Sequence, residues 1–396
     1  MPSKGRTAQG GSGKVSFGPR VVDLCRELVS RPSITPDDAG CQRLIVQRLL
    51  PLGFEAKWFY CGEVCNVLIT RGWGSPSLWF LGHTDVVPPG AESLWTAPPF
   101  APTERNGILY GRGVADMKGA VAAMVVALET FVQQHPQSAH GQLGLLLTSD
   151  EEGDALDGIV RVADDLRAHG PVPDFCLVGE PSSLEKLGDS VRIGRRGSMH
   201  GRLQVNGIQG HTAFPQFLDN PVHRLAPFLA EWAQLTWDRG NADFPPTSSQ
   251  IASFHAGTGA RNVTPSEAVV QLNVRHCPET RSAEVKARVE EMLRRHGIAD
   301  YSIDWQVSGE PFYSQAGRLR EAAVAACRNV LGTEPDLNTG GGTSDGRFIA
   351  PLGTEVLELG LVNTSIHKVD ECTPVADLDR LCATYHDIIC RIIASA

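Results

Sequence analysis

From Val21 onward the chain alternates between stripes of apolar residues at helical spacing and short, nearly continuous apolar runs. In VVDLCRELVS the positions Val21, Leu24, Cys25 and Leu28 recur at three and four residues, which predicts an amphipathic helix. CQRLIVQRLLPLGF predicts a second helix that stops at Gly53. CNVLITRG and SLWFLGHTD are short and apolar enough for strands. KGAVAAMVVALETFVQQ, after Met117, is long and rich in Ala and Val, the pattern of a helix buried on much of its surface. Strand QLGLLLT, helix GIVRVADDLRAHG and strand DFCLVGE continue the alternation. Such a succession predicts an α/β unit: a mixed, mostly parallel sheet with helices on both faces.

Near Gly197 the texture changes. SMHGRLQVNG, SSQIASFHAGTG and AVVQLNVRHC alternate with period two, and NPVHRLAPFLAEWAQLT and SAEVKARVEEMLRRHG have helical stripes. These predict a smaller α+β unit with an antiparallel sheet, inserted into the first. The α/β pattern resumes near Glu310 with helix GRLREAAVAACRNVLG, strand EVLELGL and helix LDRLCATYHDIICRIIA. The expected organisation is a flexible extension over 1–18, a catalytic domain split into 19–196 and 310–396, and a lid or dimerisation domain over 197–309.

Composition narrows the function. At 396 residues the chain exceeds what one core usually serves, in keeping with two domains. A net charge of -9 argues against nucleic acid, whose phosphates call for clustered Lys and Arg. The opening MPSKGRTAQGGSGKVSFGPR lacks the apolar centre of a signal peptide, and no apolar run approaches the ~20 residues that span a bilayer. Ten scattered cysteines in a chain of this kind are expected to be reduced thiols in a cytoplasm, with Cys61 and Cys65 structural.

The chemistry gathers where strands end. In an open α/β sheet, ligands bind beyond the carboxyl ends of the strands. LWFLG is followed by His83 and Asp85, LGLLLT by Glu151 and Glu152, FCLVG by Glu180, and VLELGL by His367. Asp116 stands just before the long buried helix. Each has an ordinary alternative: His83 as a satisfied loop histidine, Glu180 as a turn cap, Asp116 as a helix N-cap. Their recurrence at successive strand ends favours a common site. Packed without a cation, these acids would repel one another and some would protonate. Imidazole and carboxylate without thiolate suit Zn²⁺ at ~2.0 to 2.2 Å, and Co²⁺ or Mn²⁺ fits the same donors. Two histidines with three acids match two ions sharing one carboxylate, ~3.5 to 4 Å apart.

GHTDVVPPG, GRGVADMKGA, TSDEEGDA, VGEPSS and SIHKVDE, in this order, resemble the motifs of the co-catalytic zinc peptidase and deacylase family that includes aminoacylase, acetylornithine deacetylase and glutamate carboxypeptidases. The likeness runs from Val21 to the C-terminus. It implies two Zn²⁺ per subunit: His83 and Glu180 hold one, Glu152 and His367 the other, and Asp116 bridges. It makes Glu151 the general acid/base, which takes a proton from water and passes it to the leaving amine. Asp85 becomes the outer partner that orients His83. Asp150 is left as a structural or turn-capping acid.

IGRRGSMHGRLQVNGIQGHTAFPQ, NPVHRL and GGTSDGRFIA look most like the branch of that family that removes succinate from a diamino dicarboxylate. That likeness implies a small-molecule amide carrying carboxylates at both ends. Arg195, Arg275 and Arg347 are the candidate carboxylate binders, since a guanidinium can grip a carboxylate with two bonds. Asn262, Thr343 and Ser344 would add hydrogen bonds. His211 in GIQGHTAFP is the implied oxyanion donor, reaching the active site of a partner subunit, so a homodimer through the lid domain is expected. Read without the resemblance, His211 is a surface histidine in a Gly-rich turn. Two rivals stand: a sister hydrolase, such as an acetylornithine deacetylase or carboxypeptidase, and a non-catalytic metal-dependent binding protein on the same scaffold. No membrane partner is expected.

Overall fold

A computed structural model describes residues 17–136 and 141–394. The first helix, Gly18–Val29, starts earlier than its apolar stripe. Phe17 is buried ahead of it, and the Phe17 N–H donates to Asp379. Residues 1–16 of the expected extension lie outside the described residues.

Period-two alternation sets the faces of the main sheet. Leu78, Phe80, Leu143, Leu145 and Leu147 point into a core shared with helices Gly18–Val29, Gly119–Gln134 and Val375–Ile389. Trp79, Leu81 and Leu146 point the other way, onto the residues of helix Ile159–His169. Burying each such side chain contributes roughly 1.5 to 3 kcal/mol. Helix Gly119–Gln134 is buried from Gly119 to Val132, which explains why its sequence has no polar face.

The sheet has eight strands in the order Glu55–Cys61, Val64–Trp73, Gly141–Thr148, Ser77–His83, Phe175–Val178, Glu355–Glu358, Ser190–Arg192, Asp336–Asn338. The four central strands, from Gly141–Thr148 to Glu355–Glu358, run parallel. The architecture is the expected mixed α/β sheet. The edge strand Glu55–Cys61 was not foreseen, nor were the three-residue strands at the far side, where three residues carry no period.

A second sheet has the order Ser248–Ala256, Glu267–His276, Gly197–Asn206, Tyr301–Gly309, antiparallel throughout. Its core, with Met199, Leu203, Val270 and Leu272, packs on Leu225 and Phe228 of helix Pro221–Gln234 and Val285 and Val289 of helix Ser282–Arg295. The strand Tyr301–Gly309 escaped the sequence reading although Tyr301, Ile303 and Trp305 alternate. Among the described residues no helix is long and apolar enough to cross a membrane.

Candidate metal centre

Parallel register brings the predicted residues to one rim. His83 pairs with Thr148, and Leu81 with Val178, so the residues that follow these strands emerge side by side. His83 is 1% exposed. Its Nδ1 lies 2.9 Å from the main-chain oxygen of Asp85. A carbonyl only accepts, so Nδ1 carries the hydrogen and Nε2 is left as the lone-pair atom. That Nε2 faces Asp116 Oδ1 at 3.2 Å and Glu180 Oε1 at 3.7 Å. On the other side of the same carboxylate, His367 Nε2 lies 3.3 Å from Asp116 Oδ2 and 3.1 Å from Glu152 Oε1. One buried aspartate therefore offers one oxygen to each histidine.

Lone pairs aimed at lone pairs need a positive charge between them. The titration behaviour says the same. Burial opposes charge on His83, yet the Asp116 contact and the charges of Asp85, Glu180 and Glu151 hold its pKa well above the imidazole range. Hydrogen bonds to Asp116 and Glu152 raise His367 to about 10. Burial, then Glu180, pushes Glu151 well up; burial, then Asp116, does the same to Glu180. Asp116 is held low, because the two histidines outweigh its burial. Protons here do what a divalent cation does better, and the donor set of imidazoles and carboxylates fits such an ion. Donor atoms of His83, Glu151 and Glu180 lie within 4.8 Å of one another, as do those of His83, Asp116 and Glu152. Glu151, expected as the acid/base, thus stands against the His83 side.

The remaining predicted residues divide. Asp85 orients His83 through its main-chain oxygen. Its carboxylate, 3.7 Å from His83 Nδ1, instead accepts the N–H groups of Glu151 at 3.4 Å and Glu152 at 3.1 Å, pinning that turn. Asp150 accepts the Ala155 and Asp157 N–H groups and is a turn cap. Arg195 and Ser344, two of the expected substrate contacts, share one partner. Both are buried and engaged with Glu358: Arg195 through Nε at 2.8 Å and through Nη2, Ser344 through its hydroxyl. Glu358, an acid inside an apolar strand, draws these donors inward. Arg275 is half-buried beside Arg196, and burial and then Arg196 lower its pKa. Arg347 is buried, with Nη1 3.7 Å from Asp345, and its Nε and Nη1 lack hydrogen-bond partners. Thr343 is half-buried and Asn262 exposed. His211 is exposed on the loop of the second sheet, its Nδ1 accepting the Ala213 N–H at 3.1 Å and its Nε2 3.4 Å from Asn262.

Residues 79–391 match the description of Peptidase family M20/M25/M40. The chain belongs to that family. Among curated proteins, it is 52% identical over 372 residues to a succinyl-diaminopimelate desuccinylase of Thioalkalivibrio sulfidiphilus (94% of this chain, 98% of the relative). It is 51% identical over 373 residues to one of Methylococcus capsulatus (94% and 98%). Among solved structures, an M20 family metallo-carboxypeptidase from Sulfolobus solfataricus shares the fold with TM-score 0.79 at 17% identity, covering 95% of this chain and 99% of that one. The Bacillus subtilis YxeP protein, described as a dinuclear metal-binding peptidase, does so with TM-score 0.69 at 15% identity (96% and 99%).

Two residues of this M20/M25/M40 chain escaped the sequence reading. Glu371 and Arg112 form a fully buried ion pair at 2.7 Å, and Glu371 also accepts the N–H groups of Gly113, Ala115 and Asp116. Glu371 ends the motif SIHKVDE, but its sequence neighbours give no hint of what its carboxylate meets.

Proposed function

We propose that the chain hydrolyses the amide bond of N-succinyl-L,L-2,6-diaminopimelate to succinate and L,L-2,6-diaminopimelate, a step of lysine and peptidoglycan precursor synthesis, as a cytoplasmic homodimer with two Zn²⁺ per subunit. The observation that carries the reading is Asp116, whose two oxygens each face a different histidine. It supports one ion at His83 and Glu180, another at Glu152 and His367, and Asp116 between them. The named relatives at half identity over nearly the whole chain support the substrate.

Two such ions would lower the pKa of water from 15.7 toward ~7 and polarise the amide carbonyl. Glu151 accepts a proton from the attacking water and delivers it to the amide nitrogen as the C–N bond breaks, so succinate leaves as the acid and the amine leaves neutralised. Burial, and then the neighbouring Glu180, raise the proton affinity of Glu151 in the metal-free protein. Asp85 holds the turn that aims it. His211 lies on the exposed loop of the second sheet, and we assign it to the oxyanion of the partner subunit's site, with residues 197–309 acting as the lid and dimerisation unit. Arg195, Arg275 with Arg196 beside it, and Arg347 are the guanidinium groups we assign to substrate carboxylates, with Asn262, Thr343 and Ser344 as further contacts.

Turnover of N-succinyl-L,L-2,6-diaminopimelate and of N-acetylornithine, compared at matched zinc content, tests the reading. The succinyl substrate is expected to have the higher kcat/KM by at least a factor of ten, which corresponds to about 1.4 kcal/mol. Preference for the acetyl substrate would overturn the substrate assignment.

A further inference from the structure

We infer that Glu371 is the positioning residue that sets the spacing between the loop carrying Asp116 and the loop carrying His367, and so builds the second ion position. The inference rests on the two-ion reading above. Asp116 follows the strand Ile108–Tyr110, and His367 precedes the strand Cys372–Pro374, which pairs with it. Glu371 spans the gap between the two loops. Its Oε2 accepts Arg112 Nη1 at 2.7 Å and the Gly113 N–H at 2.9 Å; its Oε1 accepts the Ala115 N–H at 2.9 Å and the Asp116 N–H at 3.0 Å. Its own carbonyl accepts the Gly111 N–H at 2.9 Å. Among the described residues no other side chain hydrogen-bonds to the backbone N–H groups of residues 113–116.

The His367 end is tied just as closely. The Ser365 hydroxyl donates to the Cys372 carbonyl at 2.8 Å and accepts the Cys372 N–H at 3.1 Å, and the Asp370 carboxylate accepts the Thr96 N–H at 2.9 Å. Gly113 makes the inward turn of three N–H groups feasible. Its φ is +84°, and a Cβ there would come within 2.5 Å of Val86. Stability alone does not demand this arrangement, since a well-packed apolar pair often replaces a buried ion pair without loss. An apolar pair would not draw the N–H groups of Gly113, Ala115 and Asp116 to one point. The last of these fixes the backbone of the residue that touches both histidines.

The test is calorimetric titration of metal-stripped protein with Zn²⁺, wild type against Glu371→Gln and Glu371→Asp, with thermal unfolding of the metal-free proteins alongside. Wild type is expected to bind two ions. Both variants are expected to hold the first within about threefold and to weaken the second about 10- to 100-fold, the usual effect of losing an outer partner of a ligand. Glu371→Asp keeps the charge but is one methylene short, so weakening in that variant identifies spacing as the cause. Should Glu371→Gln not fold, the aspartate variant decides alone. Unchanged binding in a folded variant, or equal weakening of both ions, would overturn the inference. Fewer than two ions in wild type would overturn the two-ion reading itself.

Discussion

His83 and His211 sit in opposite kinds of site. His83, on the rim of the eight-stranded sheet, is almost fully buried, and its Nδ1–H donates to a carbonyl so that Nε2 presents a lone pair to two carboxylates. His211, on the loop of the four-stranded sheet, is exposed, its Nδ1 accepting the Ala213 N–H and its Nε2 lying 3.4 Å from Asn262 Nδ2. The first arrangement suits a cation. One sheet gathers buried groups that cannot rest without a positive charge, and the other carries an exposed imidazole. In the proposed reading, amide hydrolysis draws on both.

The hardest test of the rim is Glu151→Gln. The amide keeps the shape but cannot take up and release a proton, so kcat is expected to fall about 10²- to 10⁴-fold, with zinc content unchanged by metal analysis. Retention of most of the turnover at full metal content would remove Glu151 from the chemistry.

The other side of the comparison is tested by His211→Ala, expected to lower kcat about 10²- to 10³-fold, as for a lost oxyanion donor. Whether the histidine serves its own subunit or the next is decided by mixing. Glu151→Gln and His211→Ala chains, dissociated and reassembled together, should recover up to about a quarter of wild-type activity, because half of random dimers are mixed and each then has one complete site. No recovery would confine His211 to its own subunit or exclude it from catalysis.

The two regions also differ in how far the sequence exposed them. Strands buried on both faces read as unbroken apolar runs, so a polar residue at or within three residues of the end of one, as at His83, Glu151 and Glu180, stands out. His367 did not stand out in this way. It lies nine residues past the strand Glu355–Glu358, and the motif SIHKVDE marks it more sharply than its distance from VLELGL does. That Arg195 and Ser344 meet Glu358 is not visible in a linear reading. A signal was present all the same: an acid inside the apolar run VLELGL cannot be buried unpaired and requires donors from elsewhere.

The smallest effect concerns what stands behind the rim. Asp38 accepts the Thr84 hydroxyl at 2.6 Å and the Gln42 N–H at 3.1 Å, and Thr84 lies between His83 and Asp85. Burial pushes Asp38 up from 3.8 to about 6, against the lowering by those two hydrogen bonds. A carboxyl whose pKa is raised on folding binds its proton more tightly in the folded protein. Its contribution is therefore most favourable below pH 4, declines as pH rises from about 4 to about 6, and stays constant above. Asp38→Asn keeps an acceptor for Thr84 and Gln42 and removes the charge. In metal-free protein it is expected to gain about 1 to 3 kcal/mol at pH 7 and to flatten the dependence between pH 4 and 6. Urea unfolding from pH 4 to 8 measures both. Parallel stability curves for the two proteins would show that Asp38 carries no charge-dependent cost, and that the crowding of buried acids at this end of the molecule stops at the rim itself.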